Sequence, residues 1–233
     1  MKKTPLNKWH RDNGAKMVDF GGWDMPLQYA DGIMGEHLAV RRYAGLFDVS
    51  HMGRFHITGR DRTAFLQHVL SNNAEALDKG RAQYTLIPAE DGSVIDDSYL
   101  YRFEEDSFIL VVNASNREKD MAHIREHTKQ FGDVRIEDQT DQTAMIAVQG
   151  PMSGSIIYGA IEKGCLPEPF RNRLSSVKIE GTDVFLSRTG YTGEPLSFEI
   201  FLPSEAAETI WSRLHEAASE KGGKAVGLGA RDT

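Results

Sequence analysis

At 233 residues the chain is long enough for one large domain or two small fused ones, with a real core. Its 27 basic and 34 acidic residues leave a formal net charge of −7, which offers no electrostatic footprint for nucleic acid. The single Cys165 excludes an internal disulfide and a Cys-rich metal site and fits a reducing, cytoplasmic compartment, and no apolar run approaches transmembrane length.

Taken from the N-terminus, MKKTPLNKWHRDNG lacks the apolar core of a secretory signal, and its part from Pro5 to about Arg11 reads as a short helix stopping at Asn13-Gly14. AKMVDFGGWDMPLQY mixes Gly21-Gly22 with large apolar groups and reads as a packed loop. Ile33, Leu38, Val40 and Tyr43 recur at helical spacing up to Gly45, so a helix is expected from Gly32 to Tyr43. LFDVSHMGRFHITG then reads as one strand interrupted by the polar Ser50-His51. A helix with Phe65, Leu66, Val69 and Leu70 on one face follows, then the strand AQYTLIP.

Next comes EDGSVIDDSYLYRF, where Asp91-Gly92 signals a two-residue hairpin turn because both residues tolerate positive φ. DSFILVVNAS is the next strand, ending at Asn113; Ser115 with Glu118 three residues on makes a capping box for the helix after it, and Phe131-Gly132 stops that helix. The remainder alternates: strand TAMIAVQG, a short helix after Pro151, strands near LSSVKIEG and DVFLSR, a loop TGYTGEP, strand LSFEIFLP and a helix from Ser204. Antiparallel pairings joined by short turns, with interspersed helices, make the expected class α+β with largely antiparallel sheets and flanking helices.

Within the hairpin, period-2 alternation puts Asp97, Tyr99, Tyr101 and Phe103 on one face and Ser98, Leu100 and Arg102 on the other, with Asp96 expected in solvent. A carboxylate under rings loses hydration, so it needs donors, a raised pKa or a polar ligand. Asp97 therefore reads either as a functional carboxylate or as a turn cap at the strand's exposed first position. In TGYTGEP, Gly190 and Gly193 allow sharp turns that present Tyr191 for stacking and Glu194 for accepting paired N–H donors, as a flat heterocycle with an amino-pyrimidine edge requires; an exposed turn with a solvated Glu reads equally well.

Other constellations carry less. HIREH, His123 to His127, matches a metalloprotease pattern, but its helix is highly charged and no distal ligand is evident, so no metal is expected. GGK and GLGARD lack full phosphate-loop spacing and read as turns. Ser50 and His51 would point to opposite faces of a regular strand and read as structural polar residues.

TPLNKWHRDNGAKMVDFGGWDMPLQY, LFDVSHMGRF, DGSVIDDSYLYR, VVNASNREKD, AVQGP, RTGYTGE and GLGARDT, in this order across essentially the whole chain, resemble the glycine cleavage system T protein family, the tetrahydrofolate-dependent aminomethyltransferases. The resemblance implies a folate-binding T-protein fold over residues 1–233, built of two intertwined α+β subdomains, without the C-terminal β-barrel into which family members continue. It implies transfer of the aminomethyl carbon from the lipoyl arm of H protein to tetrahydrofolate with release of ammonia. H protein and tetrahydrofolate are the implied partners, with no metal, nucleic acid or membrane. Asp97 matches the second Asp of the family's paired-Asp motif, its catalytic carboxylate; Met52, Tyr84, Tyr99, Tyr101 and Asn113 fall at positions resembling those that line the folate pocket, and Glu194 and Arg231 match the family's folate-binding Glu and Arg, with Tyr191 beside them as the stacking ring read from the loop. Ser93 and Ser98 stand where the family usually has Gly and an aliphatic residue. The alternatives that this resemblance leaves are a folate-dependent demethylase and a folate-binding chain without catalysis.

Overall fold

The single strand expected across LFDVSHMGRFHITG is two strands in two different sheets of the computed structural model, which describes residues 1–233. The chain breaks after Asp48 because the polar groups there take buried partners, most of them remote in sequence. Asp48 Oδ1 accepts the Ser50 N–H (2.9 Å), and Ser50 Oγ accepts the Met145 N–H (3.0 Å) and donates to the Met145 carbonyl (3.2 Å). The break is also a boundary: one compact unit comprises Met1–His51 and Asp141–Thr233, and the other is the inserted segment Met52–Thr140.

In chain order the elements are α1 (Asn7–Asp12), β1 (Lys16–Phe20), β2 (Trp23–Gln28), α2 (Gly32–Arg42) and β3 (Gly45–Asp48). The insert holds β4 (Gly53–Thr58), α3 (Arg62–Val69), β5 (Arg81–Pro88), β6 (Val94–Arg102), β7 (Phe108–Val112), α4 (Arg117–His127) and β8 (Arg135–Asp138). Back in the first unit come β9 (Thr143–Gln149), α5 (Ser153–Tyr158), β10 (Leu174–Ile179), β11 (Thr182–Ser187), β12 (Ser197–Pro203), α6 (Ala207–Ser219), β13 (Lys224–Ala225) and α7 (Leu228–Arg231).

The first unit is a six-stranded sheet, β10-β11-β12-β9-β3-β13, antiparallel except for the β3–β13 pair. Ile210, Trp211, Leu214, Ala217 and Ala218 recur at helical spacing along α6 and are buried in one core with Ile146, Val148, Leu186, Phe198 and Ile200. AKMVDFGGWDMPLQY is not a loop but the hairpin β1–β2, turned by Gly21 and Gly22, both at positive φ. Its first strand is mostly exposed and its second mostly buried, so neither shows the alternation that signals a strand. GLGARD likewise forms the short helix α7 rather than a turn, and Lys224 of GGK opens β13.

Beneath the N-terminus lies a dry polar network. His10 Nε2 is 3.0 Å from Asp48 Oδ2, which also accepts the Thr4 hydroxyl (2.6 Å), while Tyr29 Oη lies 2.8 Å from His10 Nδ1. Burial alone would push the Asp48 carboxyl up, but His10, Thr4 and Ser50 hold it down at about 2.

The insert is a five-stranded antiparallel sheet, β5-β6-β7-β4-β8, with a core of Phe55, Ile57, Phe65, Leu66, Leu100, Leu110, Met121 and Ile124. Strand β8 escapes sequence patterning because its four residues, RIED, form a polar edge. The buried Arg54 guanidinium donates to the carbonyls of Met52 (2.7 Å) and Thr140 (2.6 Å), tying together the two ends of the insert. Between β5 and β6 the turn is wider than two residues: the Gly92 N–H donates to Ala89 O, and the register slips at Ile87/Pro88. Gly92 takes positive φ, whereas Asp91 acts through its side chain, accepting the Ser93 N–H (2.9 Å). The capping box at α4 also does not form; Asn116 is the N-cap residue and its side chain makes no cap bond.

A folded pKa held below the ordinary carboxylate value means that Asp48 contributes stability above that value and loses it as pH falls through about 2. Asp48→Asn should lower unfolding free energy at pH 7 by roughly 3 kcal/mol, since it breaks a buried polar pair. Urea titration across pH should show the gap from wild type narrowing in acid; a gap independent of pH would contradict the network's charge.

Candidate functional site

Strand β6 pairs Tyr99 with Tyr84 of β5 and Ser98 with Val112 of β7. Because β7 stops at Val112, the next residue, Asn113, leaves the ladder and turns its side chain to the two aspartates. Asn113 Nδ2 lies 2.9 Å from both Asp97 Oδ1 and Asp96 Oδ1, and the Asn113 backbone N–H donates to Asp96 Oδ2 (3.1 Å). Asn116 Nδ2 adds a bond to Asp96 Oδ1 (2.7 Å), which explains why its side chain is unavailable as a helix cap.

The expectation that Asp96 is solvated is overturned: Asp96 is only 6% exposed, whereas Asp97 is half-buried. Alternation divides the residues correctly between two faces, but the face carrying Asp96, Ser98 and Leu100 is no solvent face, and Leu100 lies in the insert's apolar core. Burial pushes the Asp96 carboxyl up, and hydrogen bonds from Asp120, Asn113 and Asn116 outweigh it and hold it below the ordinary carboxylate value. Tyr84 is pushed above the usual phenol value by desolvation and by the charge and hydrogen bond of Asp97.

Of the expected aromatic lining, Tyr84 is 47% exposed, while Tyr99 and Tyr101 are buried. The Tyr84 and Tyr99 rings meet edge to face at 6.1 Å, and Tyr99 and Tyr101 lie 5.4 Å apart, so the rings continue down one face of β6. Met52 is buried, with its carbonyl engaged by Arg54.

In the first unit, the loop between β11 and β12 carries the second cluster. At Gly190 a Cβ would come within 2.6 Å of Ser197 Cβ and press on the Gln149 amide, so the chain passes too close there for a side chain, and Gly193 has φ +78°. Tyr191 is held beneath a cation, with the Arg231 guanidinium 5.4 Å from its ring centroid. Glu194 is not a solvated loop carboxylate: its side chain is 11% exposed and its Oε1 accepts Arg41 Nη1 at 2.6 Å. Tyr191 and Glu194 line a cavity of about 480 Å³ together with Phe170, Arg171 and Arg188.

Arg41, Asn116 and Asp120 are the partners that sequence reading misses. Arg41 sits 153 positions from Glu194, and no local pattern joins them. In HIREH the His123 and His127 rings lie 4.7 Å apart, and His127 Nδ1 is 3.3 Å from His68 Nε2. No group of three or more His, Cys, Asp or Glu is placed to hold a metal ion, and no helix is long and apolar enough to cross a membrane.

The mixed α+β fold, with antiparallel sheets and flanking helices, is that of the T-protein aminomethyltransferases. Its counterpart in the crystal structure of glycine cleavage system aminomethyltransferase T from Bartonella henselae superposes with a TM-score of 0.87 at 33% identity, covering 99% of this chain and 61% of that one. The profile of the GCVT N-terminal domain matches residues 6–233, and the chain belongs to that family. Aminomethyltransferases of Chlorobium limicola and Thermus thermophilus are each 47% identical to it over its full length, and the chain spans 64% of their length. A heterotetrameric sarcosine oxidase from Corynebacterium sp. U-96 shares the fold alone, with a TM-score of 0.59 at 17% identity over 83% of this chain and 94% of that one.

Replacing Asn113 by Leu would leave two neighbouring carboxylates without their common donor. Denaturation should show a loss of roughly 1–3 kcal/mol; an unchanged midpoint would show that Asn113 does not hold the pair.

Proposed function

We propose that the protein is a tetrahydrofolate-dependent aminomethyltransferase of glycine cleavage, taking the aminomethyl carbon from the lipoyl arm of H protein and passing it to tetrahydrofolate as ammonia leaves. The observation that carries this reading is the carboxylate pair near the start of β6, held by Asn113 beside the Tyr84 and Tyr99 rings, in a chain 47% identical to aminomethyltransferases. Transfer of a carbon at the iminium level puts positive charge beside the accepting nitrogen and requires a proton for the departing amine. A carboxylate fixed next to that nitrogen stabilises the charge and orients the proton transfers. Exclusion of water protects the electrophilic carbon from hydrolysis.

In this reading Asp97 is the catalytic carboxylate, because it is half-buried, shares its strand face with the tyrosines and meets the Tyr84 hydroxyl. Met52, Tyr84, Tyr99, Tyr101 and Asn113 line the folate site. Glu194 accepts N–H donors from the substrate's amino-pyrimidine edge, with Tyr191 and Arg231 as further contacts. Arg41 donates to Glu194 Oε1 and fixes the direction of that carboxyl group. One observation favours assigning the chemistry to Asp96 instead: it is the more buried carboxylate and the one supplied with the most donors, the signature of a charge kept for use in a dry site.

The assay is turnover of aminomethylated H protein with tetrahydrofolate, run on this chain and on a longer form. Asp97→Asn should lower turnover about 10²-fold or more, the scale of a positioned acid-base group, with Asp96→Asn costing far less. The reverse order would move the chemistry to Asp96. Calorimetry should show Glu194→Ala weakening tetrahydrofolate binding by roughly 1–3 kcal/mol; equal affinity would remove Glu194 from the site.

A further inference from the structure

The helix after the aspartate strand carries a carboxyl group that the proposed reaction does not use. Asp120, in the first turns of α4, is fully buried, and neither carboxyl oxygen meets a nitrogen or hydroxyl donor. The group it hydrogen-bonds is the Asp96 carboxyl. Asp96 already takes the Asn113 and Asn116 amides on Oδ1 and the Asn113 backbone N–H on Oδ2. Two buried carboxyls in contact cannot both be ionised, and the donors sit on only one of them. Lys119, the neighbouring cation on the helix, spends its ammonium on the Ile95 carbonyl (2.7 Å).

We propose that Asp120 is a positioning residue, held as the neutral acid and donating its proton to Asp96, so that it locks the Asp96 carboxylate in place and, through their shared Asn113, orients the Asp97 carboxylate. Its role in transfer rests on the reading of this strand end as the reacting site; the shared proton itself does not. The charged groups acting on Asp120 are Asp96 and Asp97 on β6 and Lys119 on its own helix, and Tyr84 on β5 faces the aspartates. Burial first, then the Asp96 hydrogen bond and charge, push the Asp120 carboxyl up to about 8. A folded pKa raised above the unfolded one gives stability that is complete below the ordinary carboxylate range and is lost as pH rises towards about 8. Asp96 has the opposite sign, its contribution being complete above the ordinary range, so the two separate in pH.

Asp120→Asn keeps an N–H donor for Asp96 and removes the titration. The melting temperature of this variant minus that of wild type should therefore climb by about 3 °C or more between pH 5 and pH 8 and then level off. A difference that stays flat with pH would overturn the shared proton. Carbon-13 NMR of the wild-type carboxyls gives the same answer without a variant: one aspartate should titrate near neutral or mildly alkaline pH, and that signal should be absent from Asp120→Asn. All aspartates titrating below pH 5 would overturn the proposal. For the positioning role, tetrahydrofolate affinity at pH 7 should fall about tenfold in Asp120→Leu and by less than about threefold in Asp120→Asn, since only the latter replaces the donated hydrogen bond. Equal losses in both variants would refute positioning through that bond. A stability pattern as expected in a protein that binds no tetrahydrofolate would leave the shared proton standing and sink the functional reading instead.

Discussion

Two consecutive carboxylates on a strand with one side turned to an apolar core set the constraint around which the inserted unit is built. Ionised groups withdrawn from water must be supplied with donors, or they neutralise. The chain meets this demand by ending β7 one residue early, so that Asn113 supplies both its side-chain amide and its backbone N–H to the pair. It meets it again at the start of α4, where Asn116 leaves the helix end uncapped in order to serve Asp96. Asp120 supplies the remaining contact from one turn further along the same helix. A strand end and a helix start are thus shaped by the same two carboxyl groups.

The first unit solves a similar problem with different chemistry. Asp48 lies fully buried at the end of β3, and its donors come from the N-terminal segment, Thr4 and His10, and from the turn at Ser50. These bonds fix where β3 stops. In the loop between β11 and β12 a carboxyl group again takes its donor from another element, Arg41 at the end of α2 bonding Glu194. Rigid strands flank that loop, and the close approach at Gly190 sets its path. The groups proposed to meet substrate therefore stand on strand ends and on a loop braced by a sheet, where position is defined better than on a free loop.

Within β6 the sequence by itself settled which residues share a face, because side-chain alternation is a property of the extended backbone. It also settled the helices from Gly32 and Arg62, the α+β class and the glycine-built loop, all of which follow from local periodicity and turn chemistry. Motif order across the chain was enough to place it in its family, since motif order is written along the chain and needs no tertiary contact. The tertiary structure decided that the Asp96 face of β6 is covered as well as the tyrosine face, and so reversed the expectation for Asp96: solvation depends on what packs over a strand, and α4 is supplied from 20 or more residues away. It likewise decided that LFDVSHMGRFHITG is two strands, because polar side chains at Asp48 and Ser50 find buried partners remote in sequence. The Asp96–Asp120 contact and the Arg41–Glu194 pair belong to the same class, since a charge partner contributed by another element leaves no periodic or local signal in the chain that carries it.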